Sequence, residues 1–226
     1  MTGRKEKARI GLSVPGALSR SVVLLALPLA MGGCKVVTAE QDRALRAGTV
    51  AFDASGWVAS VWSGRARAAF AARQVPLADV AGAARAGRLA ALGAAHGRSP
   101  GVDAPFVFVV QGAGVVADVD RASPAASATV QVAGVGPVRV ALGPLILSTA
   151  LRDALPFVSF DDMPDQMAYG AIAQDMNRRA MAGVAPVAAR LTRGQHIRFE
   201  GAMVADSAQD DVWTIVPLRL SPEAGA

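Results

Sequence analysis

The chain has 226 residues, a formal net charge of +5, a hydrophobic content of 52% and a single cysteine. This length is enough for one moderate core or two small ones, and one cysteine excludes an intramolecular disulfide framework. Residues 1–33 carry five basic residues and one acidic residue, so the remaining 193 residues have a net charge near +1. The charge therefore gives no argument for nucleic-acid binding.

The N-terminus has the three parts of a secretory signal. A basic stretch precedes an apolar run over residues 21–30, and two glycines and Cys34 follow that run. Ten helical residues reach about 15 Å, which is too short for the roughly 30 Å of bilayer hydrocarbon. A signal that ends in cysteine resembles a bacterial lipobox, with Met31 where leucine is usual. We therefore predict that residues 1–33 are a cleaved lipoprotein signal peptide and that Cys34 is lipidated.

Two other interpretations of this stretch stay open. One is ordinary signal-peptidase cleavage that leaves Cys34 as a free thiol, and the other is an uncleaved anchor. Lipidation predicts a periplasmic protein that is anchored to the bacterial cell envelope through Cys34. Lys35 is not the aspartate that retains lipoproteins in the inner membrane of enteric bacteria, which gives a slight preference for the outer membrane. Residues 34–48 are polar and mixed, as expected of a tether.

Residues 49–100 are predicted to form an N-terminal helical segment. Asp53 is placed to cap a first helix, because its carboxylate can accept hydrogen bonds from free amide groups. A second helix is predicted over residues 76–92, since proline suits the first helical turn and apolar residues recur at helical spacing. Residues 96–101 contain Gly, Ser and Pro and are predicted to be a loop before the next domain.

Residues 101–226 change to a strand-like pattern and are predicted to form the main domain. A long strand is expected over residues 106–120, with a bend or bulge at the Gly-Ala-Gly of residues 112–114. Two shorter strands are expected at residues 128–132 and 138–142.

The rest of this domain is predicted to contain one helix and two strands. Asp165 is placed to cap the helix, and Gly183 and Pro186 are expected to end it. Strands over residues 195–204 and 212–220 follow. This order predicts the α+β class: an OB-like five-stranded Greek-key β-barrel with a helix between strands 3 and 4, preceded by the N-terminal helical segment.

One part of the sequence is distinctive enough to suggest a family. It contains Gly143-Pro144, the Thr-Ala-Leu-Arg-Asp of residues 149–153, Phe157, Phe160, Asp165-Gln166 and Asn177. Together with the Cys-Lys-Val-Val start at Cys34, these motifs resemble the predicted periplasmic lipoproteins grouped as domain of unknown function 2291. The resemblance covers nearly all of the chain after residue 33. It implies a lipid-anchored envelope protein, often encoded beside sugar ABC-transporter components, with no enzymatic activity attached to the family.

Arg152 and Asp153 are the most distinctive pair of neighbouring charged residues in these motifs, and the pair has two interpretations. In a binding site, Arg152 would present its guanidinium to a carboxylate or to sugar hydroxyls, with Asp153, Asp165, Gln166 or Asn177 lining the same groove. In a structural brace, the pair would hold the connection between strand 3 and the helix in place. The negative charge of Asp165 would then interact favourably with the dipole at the helix N-terminus. We prefer the brace because polar groups in a long ordered loop need internal partners.

The sequence gives no catalytic residue, metal ligand set or cofactor motif. His96 and His196 are the only histidines, whereas zinc needs three or four protein ligands. The glycines at 112 and 114 precede strand-like residues, whereas a dinucleotide fingerprint opens a helix. No Gly-x-Ser-x-Gly pattern occurs, although a Ser-His-Asp hydrolase is not excluded by composition. We therefore predict that the protein is not an enzyme and has no cofactor.

Three functional hypotheses follow, in order of preference. The first is a non-enzymatic, lipid-anchored accessory to a sugar ABC-transport system, whose partners are the membrane and transporter components and not nucleic acid. The second is a small-ligand-binding OB domain for sugars or sugar acids, and the third is a hydrolase.

Overall fold

The computed structural model describes residues 38–40, 52–205 and 212–223. The predicted signal peptide and the lipidation of Cys34 fall outside these residues, and so does most of the predicted tether.

The chain divides into two compact units, Met1–Val50 and Ala51–Ala226, and the sheet lies in the second unit. Helix α1 (Ala54–Val61) begins as predicted at Asp53, whose carboxylate accepts a hydrogen bond from the Gly56 amide at 2.8 Å. In the described ranges, no helix combines the length and the apolar character needed to cross a bilayer.

Five further elements complete the N-terminal helical segment. A single π-helical turn (Trp62–Ala66) leads into helix α2 (Arg67–Ala72), and a short strand β1 (Gln74–Pro76) follows. Helices α3 (Leu77–Arg85) and α4 (Leu89–His96) come next.

The prediction of one helix over residues 76–92 is wrong in two respects. Gly87 has a φ of +64°, a left-handed conformation that ends α3 and separates it from α4. The residues before α3 form β1, which pairs in parallel with the following strand and so owes its conformation to a distant partner.

The sheet has six strands. Besides β1 these are β2 (Phe106–Asp120), β3 (Ser127–Val132), β4 (Gly136–Ala141), β5 (His196–Ala205) and β6 (Thr214–Pro222). Their order is β1-β2-β3-β4-β6-β5, and β2 also pairs with β5. The β1–β2 and β4–β6 pairings are parallel and the others are antiparallel. The α+β class and the order of elements are confirmed, but the sheet is mixed and has six strands where five were expected.

Strand β2 bends at a different place from the one predicted. Its register against β3 shifts between Val116 and Asp118, beyond the two glycines. The glycines are needed instead for close packing. A Cβ on Gly114 would lie 2.3 Å from the Gln131 carbonyl oxygen, and one on Gly112 would lie 2.6 Å from the Phe199 ring.

The connection from β4 to β5 contains the longest helix. Helix α5 (Ala150–Asp153) and a 3-10 turn (Phe160–Asp162) precede helix α6 (Gln166–Ala188). Asp165 caps α6 as predicted, accepting a hydrogen bond from the Ala168 amide at 2.7 Å.

The prediction that Gly183 and Pro186 end α6 is wrong. Both residues lie inside the helix, which continues to Ala188. Pro186 lies in the last turn, where it removes one backbone donor without stopping the packing of that turn. A glycine inside a helix lowers the stability of that helix by about 1 kcal/mol relative to alanine. The burial of Val184 and Ala188 stabilises the last turns and offsets this loss.

The core lies between the sheet, α6, the connection before α6 and the N-terminal helices. All of these parts contribute large, fully buried side chains, namely Phe108, Phe199, Leu77, Leu151, Leu155, Ile172, Met176, Leu191, Ile197, Met203, Ile215 and Val58. Because α5 contributes Leu151 to this core, the neighbouring side chains of Arg152 and Asp153 are also buried. The fold thus places the predicted polar pair at the edge of the core.

Candidate functional site

Arg152 and Asp153 are both nearly buried, with exposed fractions of 8% and 5%. Arg152 Nε donates to Asp153 Oδ1 at 2.8 Å, and Arg152 Nη2 lies 2.7 Å from the same oxygen. Arg152 Nη1 donates to the Tyr169 carbonyl oxygen at 3.2 Å. The guanidinium carbon is 3.5 Å from the centre of the Tyr169 ring. The charge of Arg152 is therefore neutralised by a residue next to it in the chain and is covered by α6.

Asp153 is held by hydroxyl groups as well as by Arg152. The Thr149 hydroxyl donates to Asp153 Oδ2 at 2.6 Å, and the Tyr169 hydroxyl donates to Asp153 Oδ1 at 3.3 Å. The backbone of the same turn is fixed by Arg98, whose guanidinium donates to the carbonyl oxygens of Asp153 and Val158 at 2.7 and 2.8 Å. These bonds connect the loop before β2, helix α5 and helix α6.

Tyr169 is a half-buried titratable group of this network. Burial raises the pKa of its phenol, and the carboxylate of Asp153 raises it further, while Arg152 acts in the opposite direction. A raised pKa keeps the hydroxyl protonated, which is the form that can donate to Asp153. The Tyr169 ring also packs edge-on against Phe160, with ring centres 5.6 Å apart.

A groove of about 740 Å³ lies beside this network. We call it the Arg152 groove, and it is lined by Pro100, Arg152, Asp153, Phe160, Gln166, Met167, Tyr169, Gly170, Ala171 and Gln174. Gln166 is exposed within it, and Met167 is 80% exposed. The groove offers amide groups and one guanidinium, which can bind hydroxyl or carboxylate oxygens.

A second groove, of about 720 Å³, lies between residues 144–149 and helix α6. Gly170 and Gln174 line both grooves, so the two are neighbours. Asn177 lies in the wall of the second groove, where its Nδ2 donates to the Ser148 carbonyl oxygen at 2.8 Å. Its buried Oδ1 has no hydrogen-bond donor among the residues that the structure describes.

The five predicted site residues therefore divide into three places. Arg152, Asp153 and Gln166 line the first groove, and Asn177 lines the second. Asp165 is among the lining residues of neither groove, and its carboxylate caps α6. The binding interpretation placed Asp153, Asp165, Gln166 or Asn177 in one groove with Arg152, and the residues that share a groove with Arg152 are Asp153 and Gln166.

Sequence reasoning missed a second charged cluster, which is centred on Asp175. This carboxylate is buried and binds Arg178 and Arg179, with Arg179 Nε at 2.6 Å, and accepts a hydrogen bond from the Ser55 hydroxyl at 3.3 Å. Arg179 also donates to the Ser55 carbonyl oxygen at 3.1 Å. The cluster joins α1 to α6. Its spacing, an aspartate followed at i+3 and i+4 by arginines, is a helix-surface signal that the sequence did contain.

The histidines and the glycine pair lie apart from both grooves. His96 is the last residue of α4, and His196 is the first residue of β5. Residues 112–114 lie inside β2 and do not precede a helix. Across residues 38–40, 52–205 and 212–223, no group of three or more His, Cys, Asp or Glu side chains could hold a metal ion.

A comparison with known families shows which family the chain belongs to. A family model described as "Predicted periplasmic lipoprotein", domain of unknown function 2291, matches residues 24–221. The chain belongs to this family. Membership in this predicted periplasmic lipoprotein family means a periplasmic, membrane-anchored protein, and the matched range includes Cys34.

Solved structures show the fold of this lipoprotein. An OB-fold protein from Thermotoga maritima matches with a TM-score of 0.61 and 14% identity, over 77% of this chain and 100% of that chain. An identity this low shows the fold alone. An OBody bound to hen egg-white lysozyme matches with a TM-score of 0.27 and 16% identity, over 54% of this chain and 82% of that chain. No curated protein matches the sequence significantly.

Proposed function

We propose that this lipoprotein is a non-enzymatic accessory to a sugar ABC-transport system and that it acts through protein contacts. The observation that carries the proposal is the contrast between the two kinds of side chain around α6. The polar residues bind one another, whereas large apolar side chains are exposed, namely Leu145, Leu147, Phe160 and Met167. Exposed apolar side chains grouped around grooves are typical of interaction surfaces.

The polar network supports the non-enzymatic part of the proposal. A general base or nucleophile must reach a substrate atom at hydrogen-bond distance. Both oxygens of Asp153 already accept hydrogen bonds from Arg152, Thr149 and Tyr169. These internal partners support the interpretation of the pair as a structural brace.

The transport part of the proposal rests on the family resemblance and on the anchor. The resemblance implies a gene encoded beside sugar ABC-transporter components, and a lipidated Cys34 would hold the domain in the compartment where such a transporter receives its substrate. A tethered domain has a high effective concentration for partners at the same membrane, so weak contacts suffice.

The test is sugar uptake in a deletion strain. We expect uptake of at least one sugar handled by the neighbouring transporter to fall, and to recover with the wild-type gene but not with Cys34→Ser. Unchanged uptake of every such sugar would overturn the proposal. Equal rescue by Cys34→Ser would show that anchoring is dispensable.

A second candidate function is the binding of a sugar or sugar acid in the Arg152 groove. The observation that favours it is the position of the Arg152 guanidinium beside the amide side chains of Gln166 and Gln174. Thermal-shift screening against sugars and sugar acids tests it. Ligand-induced stabilisation should be lost in Gln166→Ala, which leaves the buried pair intact, and the absence of any stabilising compound counts against this candidate.

We also infer that strands β2 to β6 close into an OB-type barrel, with β1 outside it. In support, the pairings run β2–β3–β4–β6–β5 and return to β2. The weakest contact is β4–β6, which includes the hydrogen bond from the Arg139 amide to the Trp213 carbonyl oxygen at 2.8 Å. Slow hydrogen exchange of the Arg139 amide is expected for a closed barrel, and fast exchange would contradict closure.

A further inference from the structure

A third pocket lies between helix α2 and strands β5 and β6; we call it the Trp62 pocket. Its volume is about 330 Å³, near the lower end of the range of roughly 300–1,000 Å³ that ligand pockets have. It shares no lining residue with the two grooves beside α6. The lining residues that carry its chemistry are Trp62, Arg67, Phe70, Gln74, Glu200 and Arg219. A pocket of this volume suits a small organic molecule.

A π-helical turn brings two of these side chains to the same side of the helix. Trp62 and Arg67 are five residues apart, and in a regular α-helix this spacing separates two side chains by about 140° around the axis. The π-helical turn over Trp62–Ala66 inserts one extra residue, so the two side chains take the relative position of residues four apart. Both consequently line the pocket. Single π-helical turns occur frequently at functional sites.

A bulge in the sheet has the same effect on the strand side of the pocket. Leu218 and Arg219 are consecutive residues of β6 and both line the pocket, whereas successive side chains of a regular strand point to opposite faces. Glu200 pairs with Arg219, but the next residue of β5, Gly201, pairs with Pro217. Leu218 is thus the extra residue of the bulge. Bulges are frequent next to active sites, where they redirect a side chain.

The polar side chains of the pocket are largely available to a ligand. Within the described ranges, the side chains of Trp62, Arg67 and Gln74 form no hydrogen bond and no ion pair. Glu200 uses one carboxylate oxygen, Oε1, which lies 3.3 Å from Arg219 Nη1. This differs from the network around α5, whose charged groups bind one another. A ligand can therefore form hydrogen bonds in the Trp62 pocket without breaking many internal ones.

The charges of the pocket favour an anion that carries one negative charge. Two lining residues are positive, Arg67 and Arg219, and one is negative, Glu200, so the excess is one positive charge. A guanidinium binds a carboxylate through two parallel N–H···O bonds. A phosphate group carries nearly two negative charges at neutral pH, and Glu200 would repel it. The same carboxylate can accept a hydrogen bond from a hydroxyl or ammonium group of the ligand.

The apolar part of the pocket is an aromatic corner. The ring centres of Trp62 and Phe70 are 6.4 Å apart, and the ring planes meet at 75°. Phe70 is buried, whereas Trp62 and Leu218 are half-buried and keep apolar surface that a ligand can cover. Covering this surface would add hydrophobic stabilisation to the polar contacts.

We propose that the Trp62 pocket binds a small organic carboxylic acid that has an apolar body and a hydroxyl or amino group next to its carboxylate. Arg67 binds the carboxylate, Glu200 accepts a hydrogen bond from the hydroxyl or amino group, and the apolar body covers Trp62 and Leu218. This inference is independent of the proposed function, which concerns protein contacts around α6, and of ligand binding in the Arg152 groove.

Isothermal titration calorimetry of the detergent-solubilised full-length protein tests the site. The probes phenyllactate and free phenylalanine combine a carboxylate and a ring with a hydroxyl or an ammonium group. Hydrocinnamate lacks this third group, and phenyl phosphate has a phosphate in place of the carboxylate. Arg67→Gln is the test variant. Arg88→Gln is the matched control, because Arg88 is also an exposed arginine of the N-terminal helical segment and does not line the pocket.

We expect phenyllactate or phenylalanine to bind more tightly than hydrocinnamate. Arg67→Gln should weaken this binding at least about tenfold, because a hydrogen bond to a charged group contributes that much or more, and Arg88→Gln should leave it unchanged. Since the Arg67 side chain has no hydrogen-bond or ion-pair partner among the described residues, Arg67→Gln should keep the urea midpoint of the wild type, which separates lost binding from lost folding. Tighter binding of phenyllactate would assign a hydroxy acid, and tighter binding of phenylalanine an amino acid.

The proposal is overturned if neither compound binds at millimolar concentration, or if hydrocinnamate or phenyl phosphate binds as tightly as they do. Equal affinities of Arg67→Gln and Arg88→Gln would also overturn it. Glu200→Gln should abolish the preference over hydrocinnamate, and an unchanged preference would contradict the contact assigned to Glu200. Binding that persists in Arg67→Gln but is lost in Gln166→Ala would place the ligand in the Arg152 groove and overturn the proposal.

Discussion

Replacement of Arg152 tests directly whether the Arg152–Asp153 pair is a brace. Arg152→Met keeps an unbranched apolar stem but removes the guanidinium that contacts Asp153 and Tyr169. Removal of one partner of a buried ion pair costs about 3–5 kcal/mol, because it leaves an uncompensated charge. Two hydroxyl donors to Asp153 remain, so we expect the lower end of this range.

A second variant separates the charge effect from the loss of packing. The double replacement Arg152→Met with Asp153→Leu leaves no buried charge, and we expect it to cost less than Arg152→Met alone. Arg178→Met is the matched control on α6. Arg178 is 66% exposed and Asp175 keeps Arg179, so a loss of about 0–1 kcal/mol is expected.

Urea unfolding of the purified protein measures these differences. The three tryptophans report the transition by fluorescence, and an unchanged slope against urea concentration would show that only stability has changed. An Arg152→Met protein whose free energy of unfolding lies within about 0.5 kcal/mol of the wild type would refute the brace. It would then favour a role for Arg152 in binding.

Three further predictions follow from single residues. Tyr169 is the only tyrosine, so the tyrosinate absorbance of the folded protein should have its midpoint above the ordinary pKa of 10.0 and return to it in urea. The folded state then holds the phenol proton more tightly than the unfolded state, so the stability of the folded protein should fall as pH rises above 10.0. Tyr169→Phe should remove this fall. A midpoint at or below 10.0 would contradict the raised pKa of Tyr169. Gly114→Ala should destabilise the sheet by about 1–3 kcal/mol. Gly183→Ala adds a Cβ that would meet nothing within 4 Å, so it should stabilise α6 by about 0.5–1 kcal/mol. Equal urea midpoints for the two variants would refute the argument that Gly114 is required for close packing. Cys34→Ser should abolish metabolic labelling with palmitate, and retained label would show that lipidation occurs elsewhere.

The candidate site was predicted in part from sequence. The Arg152–Asp153 pair, the cap at Asp165 and the helix that carries Asn177 follow from local patterns, and the structure contains the cap and the helix. The contacts with Arg98 and Tyr169 were not predicted. Arg98 precedes Asp153 by 55 residues, and no periodicity or motif connects residues so distant in sequence.

The interpretation of the Arg152–Asp153 pair depends on how far the two side chains are buried. An arginine next to an aspartate is equally compatible with an exposed binding pair and with an internal brace. Burial supports the internal brace, because Leu151 lies in the core and Arg152 is only 8% exposed. The two grooves are likewise defined by residues from α6 and from loops distant in sequence.

The sequence by itself determined the family, through motifs that resemble those of known members. It also determined the α+β class and the order of the elements after Pro105, which depend on local properties: the period of apolar residues and the capping groups before a helix. Only the tertiary structure decided that β1 pairs with β2, that α6 continues through Pro186, and that residues 144–149 face α6 across an open groove. The reason is physical, since each depends on contacts between distant residues, whose burial outweighs local conformational preference.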